Sequence, residues 1–438
     1  MRRPPRSRPR APFGGARGTT AAMDRTLERC RDLDSRLVQA AKDIKILSRL
    51  SWPESTERAF LEAWAAGRPA LPEAPALRLD HGEKLAALRA LRRECDRSHP
   101  VGRYLDDTAA SYETAAAMLQ SAGTPAFTEL SCELYGRPGD AIGRSGVTNL
   151  GAAGHFLRAT DALAGGYLAA REEFCLTPAH VAGEIGREVR AFFTGHPVQV
   201  VIDPDLAPKA AAGARTVRLR GATCFGPHDI GQLLQHEVFV HTATMRNGRE
   251  QPHLRSLGLG APRTTATQEG LATLAELMTR TMDLDRLRRI ALRIEAVERA
   301  LQGGDFLDIF RFFLDAGQHE EECYHAAMRV FRGGDVRGRV AFTKDVVYLQ
   351  GLIFTHTFLR KAIQEDRPEC SRRLFAGRLA LGDVLSLEPF FDSGFIAPPL
   401  YEPPWVADRR VLAASLLYSV FANTISLGSI RLADFANA

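Results

Sequence analysis

Two histidines five positions apart constrain this chain more than any other feature. They stand in Gln235-His236-Glu237-Val238-Phe239-Val240-His241, with a carboxylate directly after the first imidazole and three apolar residues before the second. In a regular α-helix, residues four apart lie about 40° from one another around the axis, whereas residues five apart lie about 140° apart. An undistorted helix would therefore aim His236 and His241 in different directions. A single π-type turn, with i→i+5 bonding, returns them to one face, and such turns are frequent at functional sites. If the two imidazoles act together, the helix must be distorted here.

A second stretch, Thr267-Gln268-Glu269-Gly270-Leu271-Ala272, follows about a helix and a loop later. Glu269 and Glu276 are seven apart and share a helix face, so either can supply a third ligand. Glu269 is favoured for that role, with Glu276 orienting a ligating His. Two neutral imidazoles, a carboxylate ligand and a second carboxylate to work on a metal-bound water are the inventory of a catalytic zinc site. The plainer alternative is that His236 and His241 are ordinary core or surface residues. The choice of zinc over another divalent ion rests on the His/His/Glu set alone.

The 438 residues are enough for one large or two ordinary domains, and 45% apolar with 25% charged residues is an ordinary globular composition. The net charge of +5 is misleading, because residues 1–18 carry six Arg and no acid. The remainder is close to neutral, which gives no reason to expect a nucleic-acid partner. Residues 1–22 are rich in Arg, Pro and Gly and are expected to be disordered. Seven scattered Cys without a C-x-x-C pair read as reduced thiols, and no apolar leader is present, so a cytoplasmic location is expected. Val411–Leu427 is too short and too polar to span a bilayer and reads as a core helix, so no membrane association is expected.

Helical spacing recurs over 24–50, with Leu27, Leu33, Leu37, Ala40, Ala41, Ile44 and Leu47 on one side, and stops at Trp52-Pro53. Further helices are predicted over 54–66, 82–95, 102–120 and 178–193. Val198–Asp203 and Thr216–Arg220 read as strands, the second with Val217 and Leu219 on one face and Arg218 and Arg220 on the other. Phe225-Gly226-Pro227 opens the helix of the two histidines, and Asn247-Gly248 stops it. Helices over 268–281 and 284–301 follow; the Arg-rich pattern of the latter reads as a solvated face. The fold class is mainly α with a small β-sheet (α+β). The division expected is a tail over 1–22, an N-terminal helical region over 23–176 and a catalytic domain over 177–438.

These strings resemble the QEGLA-motif family. Its bacterial members carry the label flavohaemoglobin-expression-modulating proteins, and its animal members are microtubule-associated tyrosine carboxypeptidases. The resemblance is carried by His236-Glu237…His241, Asn247-Gly248…Gln251-Pro252, Gln268-Glu269-Gly270-Leu271-Ala272, Phe331-Arg332-Gly333-Gly334 and Phe342-Thr343-Lys344-Asp345…Tyr348. It reaches more weakly to Gly136-Arg137-Pro138 and the Ile44–Pro53 segment. It implies a zincin-like metallopeptidase core in which His236, His241 and Glu269 hold one Zn2+ and Glu237 is the general base. It also implies a peptide or protein C-terminus as substrate. A carboxypeptidase must grip a free carboxylate and stabilise an oxyanion, and Arg332, Lys344 and Tyr348 are the residue types for that work. The simpler reading pairs Arg332 and Lys344 with Asp335 or Asp345. His325 is a further oxyanion candidate. The oligomeric state is open, and the alternative function is a non-catalytic, metal-binding regulatory protein.

Overall fold

The structure is a computed structural model that describes residues 17–77, 79–167, 175–206 and 208–435. The chain is mostly helical with one small sheet, as its patterning predicts. The N-terminal part contributes α1 (Arg17–Ala41), α2 (Glu54–Ala65), α3 (Gly82–Glu94), α4 (Pro100–Gln120), α5 (Pro125–Tyr135) and α6 (Asn149–Tyr167). After α7 (Pro178–Phe192) come β1 (Gln199–Asp203), β2 (Ala210–Ala212) and β3 (Thr216–Arg220). The next helix has three parts: α8 (Pro227–Leu233), a π segment (Leu234–Thr242) and α9 (Ala243–Arg249). Then follow α10 (Thr265–Met278), α11 (Leu284–Leu301), α12 (Phe306–Asp315), α13 (Glu320–Phe331), α14 (Val347–Gln364) and α15 (Arg409–Ala422), with shorter helical turns between.

Several expectations are corrected. Residues 17–22, placed in the disordered tail, belong to α1, while residues 1–16 lie outside the described residues. That helix ends at Ala41 instead of Leu50; the chain turns near Lys45, and both Ile44 and Leu50 reach the core. Val411–Leu427 is not a core helix. Only Leu412 and Leu416 of α15 are buried, while Val411, Leu417, Tyr418 and Phe421 are exposed. The seven thiols are not all reduced, since Cys175 and Cys224 form a disulfide. Their separation of 49 residues hides the pairing in sequence. An antiparallel bridge between Leu176 and Phe225 brings the two segments side by side. This pair removes the cysteine argument for a reducing compartment. No described helix is long and apolar enough to cross a membrane.

In the sheet, β3 lies between a parallel β1 and an antiparallel β2, leaving β2 on an edge. The Ala210-Ala211-Ala212 strand carries little β propensity, which is why pattern reading misses it. On β3, Val217 and Leu219 are buried, and Arg218 is exposed and paired with Asp203. Beneath the sheet lies a core of Val181, Ile185, Val189, Phe225, Val238 and Phe239. The principal core joins the N-terminal helices to the later ones, from Leu33 and Leu37 through Leu105 and Leu119 to Leu271, Leu274, Leu349 and Leu416. Asp34 of α1 fixes that junction by accepting from the backbone amides of Arg255 and Ser256, at 2.8 and 3.1 Å.

A close crossing of two helices helps to set the site. A Cβ placed on Gly270 of α10 would lie 2.2 Å from the backbone of Gly351 on α14, and one on Gly351 would lie 2.1 Å from the Ala266 carbonyl. The two helices touch backbone to backbone, which only glycine permits. That contact puts Glu269 beside the start of α14. Gly270→Ala is expected to cost at least the 1–3 kcal/mol typical of overpacking, roughly, because the obstacle is main chain and cannot rotate away. Urea unfolding of the variant measures it, and parent-like stability would contradict the close crossing.

Candidate functional site

The distortion required by the spacing of His236 and His241 is present: residues 234–242 form a π-helix between two α-helical halves. The segment is buried on opposite sides. Val238 and Phe239 enter the core beneath the sheet, and Val240 enters the principal core. The two imidazoles therefore share one face, with ring centroids 4.8 Å apart. Carbonyls in this loosened turn find other donors. The Thr244 hydroxyl lies 2.7 Å from the Val240 carbonyl and 2.8 Å from Gln268 Oε1, and Arg378 Nη2 lies 3.4 Å from the His241 carbonyl. Gln268 thus ties α10 to the π segment one residue before Glu269.

Glu269 meets both histidines. Its Oε2 lies 3.3 Å from His236 Nε2 and 3.5 Å from His241 Nε2, and ligand atoms of the three residues all fall within 4.8 Å of one another. Glu269 Oε2 is buried without a hydrogen-bond partner. A tetrahedral ion with ligands at about 2.0–2.1 Å has donor atoms roughly 3.3 Å apart, so this donor set fits zinc. Glu276 is on the opposite side of His236, its Oε1 2.6 Å from Nδ1, which leaves Nε2 facing Glu269. Of the two carboxylates open as third ligand, the structure brings Glu269 to both imidazoles and Glu276 to only one.

Burial and neighbouring charge oppose each other at these groups. Burial lowers the His236 pKa, but the adjacent carboxylates of Glu269 and Glu276 overcome it and raise it to about 10. Burial also works against ionised Glu269 and Glu276. The Lys344 charge and the two imidazoles hold Glu269 well below the usual carboxylate range, and Arg286 and His236 hold Glu276 at about 2. Lys344 Nζ donates to Glu269 Oε1 at 2.7 Å, and Arg286 Nε and Nη2 reach Glu276 at 3.1 Å.

Behind Lys344 the buried charges continue. Tyr348 Oη lies 3.3 Å from both Lys344 Nζ and Arg329 Nη2. Burial and Glu269 raise its pKa, but Lys344 and Arg329 outweigh them and lower it. Arg329 forms a two-pronged pair with Asp345, at 2.8 and 2.5 Å. Among the described residues Arg332 is not paired with a carboxylate; its guanidinium lies over the Phe342 ring, and burial and the Arg329 charge lower its pKa to about 10. The ion pairs weighed for Arg332 and Lys344 are thus taken by others: Asp335 goes to Arg337, and Asp345 to Arg329. His325 is engaged elsewhere, 2.9 Å from Glu57. Glu237, half-buried, accepts from the backbone amide of Ala212 on edge strand β2, at 3.0 Å.

Sequence reading passed over Arg286, Arg293, Arg329 and Arg378. The first two are a correction. Helix α11 is not simply a solvated face, because Arg286 binds Glu276 and Arg293 approaches Asp345 to 4.0 Å. Their separation of seven residues, which puts both on one face, was the available signal. A groove of about 690 Å³ lined by Asp161, Arg288, Arg299, Asp308 and Phe312 contains none of the residues described above.

A family model described as microtubule-associated tyrosine carboxypeptidase matches residues 58–424. No curated protein matches the chain. Among solved structures, the chain is similar to a candidate lipoprotein from Colwellia psychrerythraea, at 14% identity and a TM-score of 0.39. That match spans 77% of this chain and 66% of the other, just under two thirds of its length.

The Arg329–Asp345 pair makes a direct test of the buried wall. Arg329→Met strips Asp345 of its two-pronged partner, leaving Arg293 at 4.0 Å, and is expected to destabilise the fold by up to about 3–5 kcal/mol. Adding Asp345→Asn should recover much of that loss. Denaturant titration of the single and double variants checks both, and an additive double variant would contradict the coupling.

Proposed function

Because this chain belongs to the microtubule-associated tyrosine carboxypeptidase family, we propose that it is a zinc-dependent carboxypeptidase that hydrolyses the last peptide bond of a peptide or protein. The observation that carries the reading is the donor set: Glu269 Oε2 3.3 and 3.5 Å from the Nε2 atoms of His236 and His241, with Glu237 next to the first ligand. In this reading residues 177–438 are a zincin-like catalytic domain. His236, His241 and Glu269 would hold the ion. Bound there, zinc supplies Lewis acidity and acidifies water at the open coordination position.

The remaining work falls to the chain's own groups. Glu276 keeps the His236 Nδ1 proton and so presents Nε2 as a lone pair. Lys344 keeps Glu269 ionised and fixes its rotamer through Oε1. Glu237 takes a proton from the attacking water as its oxygen bonds to the scissile carbonyl carbon. Glu237 then delivers that proton to the leaving amine as the C–N bond breaks. The Tyr348 hydroxyl, made a better donor by Lys344 and Arg329, serves the oxyanion. Arg332 and Lys344 form the cationic wall toward which a terminal carboxylate is drawn. Edge strand β2, which holds Glu237 through Ala212, offers an extended peptide a pairing edge.

One pair of peptides tests the reading, identical except for a free or amidated C-terminus. The protein should release the terminal residue only from the free acid. Glu237→Gln should slow release by about 10²–10⁴-fold, the range of general-base catalysis, while metal content stays at the parent level. Metal retained without release in the parent would point to the regulatory alternative. Full activity in Glu237→Gln would remove the proposed base.

A further inference from the structure

Asn247-Gly248…Gln251 has no part in the chemistry above, yet its two amides are among the most buried polar side chains in the protein, 2% and 3% exposed. Asn247 Nδ2 donates to the carbonyls of Phe375 and Tyr401, each at 2.8 Å, while its Oδ1 accepts from the amides of Leu400 and Tyr401. Gln251 Nε2 donates to the carbonyls of Ala376 and Ala397, each at 2.9 Å. Next along the chain, Arg378 N donates to the Leu257 carbonyl at 2.7 Å. Gly248 and Gly377 both back onto Leu257, where a Cβ would approach it to 2.2 and 2.7 Å. The segment 375–378 is therefore held by three hydrogen bonds, two from the side-chain amides of Asn247 and Gln251 and one to the Leu257 carbonyl.

What this clamp presents is Arg378. Its Nη2 lies 3.4 Å from the His241 carbonyl, and its Nε is buried without a hydrogen-bond partner. Among the described residues it has no carboxylate within ion-pair distance, unlike Arg286 and Arg329. Gly260 leaves room for it, since a Cβ there would lie 2.9 Å from Nη1. Arg332, the other guanidinium of the site without an ion pair among the described residues, also has a buried, unpartnered Nε, but its guanidinium lies over the Phe342 ring.

We propose that Arg378 is the residue that grips the substrate's terminal carboxylate, through the Nε–Nη edge, and that the Asn247/Gln251 clamp is the device that holds it there. A planar guanidinium with an unpartnered Nε and further Nη protons can meet a carboxylate two-pronged, which an ammonium cannot. The inference rests on the carboxypeptidase reading for its ligand but uses no catalytic step.

The test is therefore a binding measurement on the Glu237→Gln protein, by calorimetry, with a hexapeptide ending in tyrosine in free-acid and amide forms. The free acid should bind more tightly. Arg378→Ala should weaken it at least about 30-fold, as for truncating one partner of a buried charged pair, and leave the amide unchanged. Arg378→Lys, which keeps charge and volume but loses the fork, should fall between the two and guards against a folding defect. A preference that survives Arg378→Ala, an equal loss for acid and amide, or no preference before substitution would overturn the proposal. Hydrolysis by the parent alongside a surviving preference would sink Arg378 and spare the carboxypeptidase reading. A preference lost in Arg378→Ala, in a parent that hydrolyses nothing, would do the reverse.

Discussion

The π turn over residues 234–242 is the constraint on which the site depends. A five-residue spacing cannot put two side chains on one face of an α-helix, so the loosened bonding has to be stabilised by its surroundings. Those surroundings are unusually complete. One side of the turn is buried under the sheet and the other in the principal core, through Val238, Phe239 and Val240. Thr244, Gln268 and Arg378 meet its carbonyls and neighbours. The Gly270–Gly351 crossing brings α10 close enough for Glu269 to lie between the two imidazoles.

Around that turn the protein buries charge on a scale that would be destabilising if the charges were not matched. Arg286, Arg293, Arg329 and Lys344 face Glu276, Asp345 and Glu269, and Arg332 lies over the Phe342 ring. Each carboxylate has a cation against it, and positive charge is left over. This arrangement does two things at once. It keeps Glu269 and Glu276 ionised, so that one faces both imidazoles and the other orients His236. It also leaves a fixed positive potential in a low-dielectric pocket, where an incoming carboxylate gains more than it would in water.

Much of this was legible in the residues themselves. The H-E-x-x-x-H spacing dictates the π turn, and β3 shows its inward Val217 and Leu219 by alternation. Glu269 and Glu276 are legible as a same-face pair, but only their packing says which of them meets both His241 and His236. What stayed hidden depends on long-range contact. Nothing local marks Ala210–Ala212 as a strand, or tells that Cys175 meets Cys224. The Arg residues of α11 look solvated because a charged pattern carries no record of the carboxylates packed opposite. Arg378 belongs to no motif of its own; it is placed by Asn247 and Gln251, well over a hundred positions earlier.

The central claim is that the π turn makes His236 and His241 joint ligands of one ion. X-ray absorption at the zinc edge of the purified, zinc-loaded protein tests it most directly. The account predicts about one zinc per chain in a nitrogen and oxygen shell at about 2.0–2.1 Å containing two imidazoles. The shell should fall to one imidazole, or the ion be lost, in His241→Ala. A single imidazole in the parent, a shell containing sulfur, or a spectrum unchanged by His241→Ala would contradict it.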